Sequence, residues 1–172
     1  MLEHAKLYES KIQEKYIRTI DDPKYMYYHL NDSADFIEFR DSNWSKLAYA
    51  SVNSKGEVVG YFACYITRQA RNVYDLSIIK FEESNVFSID LMRFFDLLFF
   101  QRNFRKLNFD VVIGNPIEKM YDKFIERYGG RVVGIKEEDT VLRDGQYYDL
   151  KMYEIKREQY CKNRKNNKNR TS

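Results

Sequence analysis

One stretch constrains the fold of this chain more than any other, the segment from Phe109 to Lys156. It contains an apolar strand, FDVVI, followed by a predicted helix. Asn115 is suited to cap the start of this helix, Pro116 to be its first residue, and Gly129-Gly130 to end it. Two more strands follow, RVVGI and YYDLKMYEI, joined by a hairpin whose Asp144-Gly145 pair suits a type I′ turn. A slip of the alternating pattern near Met152 indicates a bulge.

The rest of the chain predicts helices before a meander. Apolar residues at helical spacing indicate a helix in the first twenty residues, and Asp22-Pro23 indicates the start of a second. From Leu47 onward, LAYASV, EVVGYFACYIT and VYDLSIIKF read as three antiparallel strands, and a helix follows from about Ser88 to Lys106. The predicted order is ααβββαβαββ, an α/β (α+β) fold with a mixed, mostly antiparallel sheet flanked by helices.

The length and the distribution of charge indicate how the chain is divided into a domain and a tail. A chain of 172 residues predicts a single domain, which we place at residues 1–160. Residues 161–172 hold five basic side chains and no acid, so we predict a basic disordered tail there. Removing those five from 29 basic residues leaves 24 against 26 acidic ones, so nucleic acid is not an expected partner of the body. A nucleic-acid accessory role through the tail alone is the weakest alternative.

The composition does not indicate a disulfide-rich, metal-binding or membrane protein. Two cysteines and two histidines, without ligand-like spacing, predict neither a disulfide framework nor a metal site. We find no signal peptide and no apolar run of about 18 residues, so we expect a cytoplasmic protein that does not use the membrane. The 15 Tyr and 12 Phe exceed what a small core needs, which leaves room for a ligand groove or a homodimer interface.

The strand and helix order, together with Asn115, Tyr121 and Gly129 on and after the helix, resembles the GNAT superfamily of N-acetyltransferases. The resemblance covers roughly residues 47–158 and implies acetyl-CoA as co-substrate and an amine on a small molecule or peptide as acceptor. It implies that the amine attacks the thioester directly in a ternary complex. It also implies that Tyr121 protonates the leaving thiolate and that Asn115 contacts CoA.

The resemblance implies further site residues. The general base would come from the middle strands, where Asp75, Glu82 and Glu83 are the candidates, and we select Glu82. CoA would lie along the third strand of the meander and the start of the next helix, at Ile79, Phe81, Phe87 and Ser88. The acceptor pocket would form from about residues 21–44 and 137–148, where tyrosines alternate with acids.

The sequence departs from the family at the phosphate loop. The family pattern R/Q-x-x-G-x-G/A uses backbone N–H groups at a helix start to bind pyrophosphate. This chain has FEESNVFSID there, which contains no glycine and three carboxylates. Because fold does not fix function, the alternative is a catalytically inactive GNAT-fold binding or scaffold protein that has lost CoA binding.

Overall fold

The computed structural model describes residues 1–30, 35–39 and 44–169, with side chains to residue 167. The first segment expected to form the acceptor pocket, residues 21–44, therefore lies partly outside the described residues. In chain order the strands are β1 (Leu2–His4), β2 (Lys46–Val52), β3 (Val58–Thr67), β4 (Asn72–Lys80), β5 (Lys106–Val112), β6 (Arg131–Val141) and β7 (Tyr147–Lys156). The α-helices are α1 (Glu9–Thr19), α2 (Asn85–Asp96), α3 (Glu118–Tyr128) and α4 (Arg157–Asn169).

The strands form one seven-stranded sheet in the order β1-β2-β3-β4-β5-β7-β6. Every neighbouring pair is antiparallel except β4 and β5, which are parallel. The predicted mixed, mostly antiparallel sheet is therefore confirmed. Short 3₁₀ segments, Ala5–Tyr8 and Pro23–Tyr28, flank α1, and a π-helical turn, Leu97–Gln101, continues α2. No helix within the described ranges is long and apolar enough to cross a bilayer.

Two hydrophobic cores cover the two faces of the sheet. The larger contains the apolar sides of α2, α3 and α4 with inward residues of β2 to β5 and β7, including Phe62, Phe94 and Phe99. The smaller lies under α1 and the Pro23–Tyr28 segment and includes Ile12 and Tyr61. Burial of an aliphatic or aromatic side chain contributes about 1.5–3 kcal/mol, so both cores stabilise the sheet.

The C-terminal segment differs from the prediction. We predicted disorder from residue 161, whereas α4 continues to Asn169. Tertiary contacts hold α4 against the rest of the protein. Tyr160 is fully buried, its hydroxyl donates to Asp96 at 2.8 Å, and Arg164 donates two 3.0 Å hydrogen bonds to the same carboxylate. Residues 170–172 lie outside the described residues. Strand β1 also escaped prediction, because three residues carry too little pattern.

The turns and the bulge agree with the sequence predictions at some positions and differ from them at others. Gly129, at φ +78°, ends α3 in the left-handed conformation, as the Gly-Gly stop predicts. The bulge lies on β6, where Val132 and Gly134 face Tyr153 and Met152. The predicted type I′ turn is wrong, because Gly145 has a positive φ and Asp144 does not.

Candidate functional site

The parallel strands β4 and β5 separate soon after they meet. Their register contains two pairs, Asn72 with Lys106 and Val73 with Leu107. Just beyond, Asp75 adopts a left-handed φ of +52°, and β4 bulges where its register with β3 shifts. A bulge bends its strand and strengthens the local twist. The rest of β4 stays paired with β3, so its other edge turns unpaired backbone groups toward the gap.

The gap is part of a cavity of about 760 Å³. Its walls include residues of the α2–α3 core, such as Val111 and Tyr121, and residues of the α1 core, such as Tyr16 and Tyr61. The cavity therefore joins the two faces of the sheet through the gap between the strands. Its volume lies in the range of small-molecule sites.

Tyr121 projects from the first turn of α3 into this cavity. Its ring packs edge-to-face on Phe109, with centroids 5.2 Å apart, and more distantly on Tyr153. Burial raises the pKa of the Tyr121 hydroxyl well above its usual value. The phenol therefore stays protonated at neutral pH and can act as a proton donor.

Asn115 also lines the cavity, in the turn between β5 and α3. Its Oδ1 accepts a hydrogen bond from the Ile117 N–H at 3.1 Å, and the helix begins only at Glu118. Glu118 accepts from the Gly114 N–H at 3.3 Å. The capping interaction predicted for Asn115 thus exists as a turn just before the helix, which shifts the helix start by two residues.

In the loop between β4 and α2, the side chains of Ser84, Glu82 and Glu83 all have partners within the protein. Ser84, rather than Ser88, caps α2, and its Oγ accepts from the Val86 N–H at 3.2 Å. Glu82 forms an ion pair with Lys15, and Glu83 with Lys80. The hydrogen bond from Lys80 holds the pKa of Glu83 below its usual value. The helix predicted from about Ser88 therefore begins three residues earlier, at Asn85, and Ser88 lies inside its first turn.

Phe87, in the first turn of α2, is buried against β3. A Cβ built on Gly60 would lie 2.3 Å from its ring, and its ring lies 5.0 Å from that of Phe62. Phe81 packs against the α1 core. The structure therefore brings Ile79, Asn115 and Tyr121 to the cavity, while Phe81, Phe87, Ser88 and Glu82 do not line it.

Two carboxylates that reach the cavity were not selected from sequence. Asp75 was one of three candidates, and Asp110 was overlooked, although an acid inside the apolar run FDVVI is itself a signal. Partial burial raises the pKa of Asp110; Lys136 opposes this shift, and Asp139 and Asp75 add to it. A carboxylate with a raised pKa is suited to accept a proton near neutral pH.

Tyr61 on β3 carries a buried hydroxyl in the cavity wall. Its side chain is 2% exposed, and its Oη has no hydrogen-bond partner among the described residues. Burial raises its pKa, so it remains neutral. An unsatisfied buried hydroxyl costs about 1–3 kcal/mol, and such exceptions in folded proteins call for a reason.

The wall on the α1 side is aromatic and acidic. An isolated antiparallel bridge joins Leu30 to Leu142, and Tyr27 contacts Tyr148 edge-to-face at 6.3 Å. Phe36, Ile37 and Glu38 complete this side. Both segments that we expected to form the acceptor pocket thus contribute to one cavity. No group of three or more His, Cys, Asp or Glu side chains with metal-binding geometry occurs in the described part of the chain.

Comparisons with known proteins show which solved structures share this fold. No family model and no curated protein sequence matches this chain. Among solved structures, a chimera of the spermidine N-acetyltransferase SpeG from Vibrio cholerae and hSSAT superposes with a TM-score of 0.70 at 17% identity, covering 94% of this chain and 98% of that one. The V. cholerae enzyme in complex with CoA and spermine gives 0.66 at 16% identity, covering 94% and 97%. At these identities the likeness establishes the fold.

Proposed function

Because this chain has the fold of the GNAT N-acetyltransferases, we propose that it transfers an acetyl group from acetyl-CoA to an amine in a ternary complex. The observation that carries the proposal is the separation of β4 from β5, which opens a cavity to both faces of the sheet. Two substrates can then meet at the gap, each entering from its own face. Positioning of this kind can supply about 7–11 kcal/mol of barrier reduction.

The cavity fits one part of CoA better than the other. The unpaired edge of β4 from Leu76 to Ile79 offers backbone donors and acceptors to an extended chain with amides, such as pantetheine. The pyrophosphate has no glycine cradle, and the Val86 N–H that could bind it is taken by Ser84. We therefore propose that binding of CoA relies mainly on the pantetheine arm.

The chemistry divides among three side chains. The amine nitrogen forms a bond to the thioester carbonyl carbon, and the carbon–sulfur bond breaks. We assign Asp110 to accept the proton that the amine releases, with Asp75 beside it holding the cation. Tyr121 donates a proton to the departing thiolate. This assignment replaces Glu82, whose carboxylate is paired with Lys15 away from the cavity.

The acceptor in this proposal is a small cationic amine. Asp75, Asp110 and Glu38 supply negative charge, and the surrounding tyrosines supply flat faces that favour an ammonium group. Tyr61 offers a neutral hydroxyl to a polar atom of the acceptor. The V. cholerae comparison structure holds spermine, which supports an amine of this type.

Two measurements on the purified protein test the proposal. Acetyl-CoA should raise the thermal midpoint, because a ligand that binds only the native state must stabilise it. Thiol release should then depend on an added amine, with spermine, simple diamines and a lysine peptide as probes. Cys64 is fully buried and burial raises its pKa, so its background reaction is low. Absence of both signals at millimolar acetyl-CoA would overturn the proposal.

A second candidate is a GNAT-fold protein that binds an amine and has lost CoA. The observation favouring it is the β4–α2 loop, where Lys80 and Lys15 are already committed to Glu83 and Glu82. In that case amines alone would shift the thermal midpoint, whereas acetyl-CoA would not. The same pair of titrations therefore separates the two functions.

A further inference from the structure

The fold gathers arginines from three distant segments at the end of the sheet where β4 and β5 begin. The segments are the β3–β4 turn, the turn after the π-helix, and the β7–α4 junction. The backbone N–H of Arg105 donates to the carbonyl of Arg71 at 2.7 Å, and that of Arg157 donates to the carbonyl of Arg105 at 2.9 Å. Arg71, Arg105 and Arg157 thus lie on neighbouring backbone segments of the same chain. Such segments are about 4.8 Å apart when they pair as in a sheet.

These guanidinium groups bond to neutral acceptors. Arg71 Nη2 donates to the Asn103 carbonyl at 2.5 Å, Arg105 Nε to that of Ala70 at 3.3 Å, and Arg157 Nε to that of Phe99 at 2.8 Å. Further bonds of Arg105 and Arg157 go to the side chains of Asn72 and Asn103. None of the three pairs with a carboxylate within the described ranges, so their positive charge is not neutralised there.

A second cavity, of about 340 Å³, opens beside this row. Arg68, Arg71, Arg102 and Gln101 line it above an apolar floor that includes Leu47 and Phe104, and no acid belongs to its described lining. Arg68 donates to the Trp44 carbonyl at 2.7 Å and lies 4.6 Å from the Trp44 ring centroid. The pocket is therefore concave, positively charged and bordered by an exposed indole.

The backbone around the pocket is held in costly conformations. Arg71 and Asn103 have φ values of +51° and +55°, in the left-handed region that non-glycine residues rarely adopt. The π-helical turn Leu97–Gln101 leads directly into the same wall. Such backbone features are uncommon and concentrate at functional sites.

We propose that this pocket, hereafter the arginine pocket, binds a phosphate-bearing small molecule. Guanidinium groups match phosphate oxygens with paired N–H donors, and several of them can neutralise a dianion. The apolar floor and Trp44 would contact the group that carries the phosphate. The arginine pocket adjoins the starts of β4 and β5, whereas the first cavity follows their later residues, so the inference does not depend on the acetyltransferase proposal.

The test uses Trp44, the single tryptophan, as a fluorescent reporter in the full chain. Inorganic pyrophosphate should change its emission saturably at low ionic strength. Arg102→Gln should weaken this binding about tenfold or more, the loss expected for one charge-assisted contact. Arg127→Gln removes one positive charge on the outer surface of α3 and should leave binding unchanged.

Four results would overturn the inference. The first is equal binding of pyrophosphate, sulfate and chloride at equal ionic strength, and the second is equal weakening of pyrophosphate binding by Arg102→Gln and Arg127→Gln. A single-stranded oligonucleotide that binds more than 100-fold more tightly than pyrophosphate, and loses this affinity in Arg102→Gln, would assign the phosphate to nucleic acid. Saturating acetyl-CoA should not displace pyrophosphate, and displacement would place it in the first cavity instead.

Discussion

The cavity at the β4–β5 gap and the β4–α2 loop next to it are built on opposite principles. In the cavity, two features lack a hydrogen-bond partner among the described residues, the buried hydroxyl of Tyr61 and the outer edge of β4. In the loop, Ser84 caps the helix and both glutamates have lysine partners. The cavity is thus open to a ligand, while the loop is complete without one.

This difference separates two requirements of the proposed reaction. A thioester arm needs a gap between strands, and a pyrophosphate needs free N–H groups at a helix start. Here the bulge at Asp75 supplies the first, and the loop does not supply the second. Catalysis and cofactor affinity should therefore respond to different substitutions, which the following predictions use.

The largest expected effect is on turnover in the cavity. Tyr121→Phe removes the proposed proton donor and should lower kcat by about 100-fold or more. Stability should change little, because the ring and its contact with Phe109 remain. Steady-state thiol release would measure turnover, with Tyr8→Phe, in the 3₁₀ segment before α1 and outside the cavity lining, as the matched control. An unchanged kcat in Tyr121→Phe would remove the assignment of Tyr121.

In the first turn of α2, directly after the loop, the largest effect should be on stability. Phe87→Ala empties the space between Gly60 and Phe62 and should lower the free energy of unfolding by about 3–5 kcal/mol. Urea denaturation measures this, and the exposed Ser88→Ala should stay within about 0.5 kcal/mol of the parent. If Phe87→Ala kept its stability and lost acetyl-CoA binding, Phe87 would be a ligand contact and the comparison would fail.

Sequence pattern predicted the elements that specify themselves locally. The α3 stop at Gly129 follows from side chains near each other in the chain, whereas the mixed sheet was expected from the family resemblance. Helix α4 could not be predicted in the same way, since its polar sequence folds onto Tyr160 and Asp96, which are distant in sequence. Asp110 was missed for a related reason: its role depends on the gap beside Asp75, and a gap has no local pattern.

A smaller effect should follow from removing the loop charges. The double substitution Glu82→Gln with Glu83→Gln frees Lys15 and Lys80 and should tighten acetyl-CoA binding on the order of tenfold at low salt. The gain should shrink as salt rises, because exposed charges are screened. Calorimetric titration at two salt concentrations measures it, with Glu126→Gln on α3 as control. Equal affinities in the parent and the double variant would show that the loop charges do not limit binding.

The smallest effect concerns the pH dependence of stability at Asp110. Its folded-state pKa is raised, so the folded chain holds this proton more tightly than the unfolded chain. Stability should therefore fall as pH rises from about 3.9, the ordinary value, through the raised pKa, and the deficit should persist above it. Asp110→Asn removes the titration, so its thermal midpoint should exceed that of the parent at pH 8 and match it near pH 3. Asp21→Asn, in the turn after α1, is the control and should show no such crossover. A lower midpoint for Asp110→Asn at pH 8 would mean that the ionised carboxylate stabilises the cavity, and the proton-accepting role would then belong to Asp75.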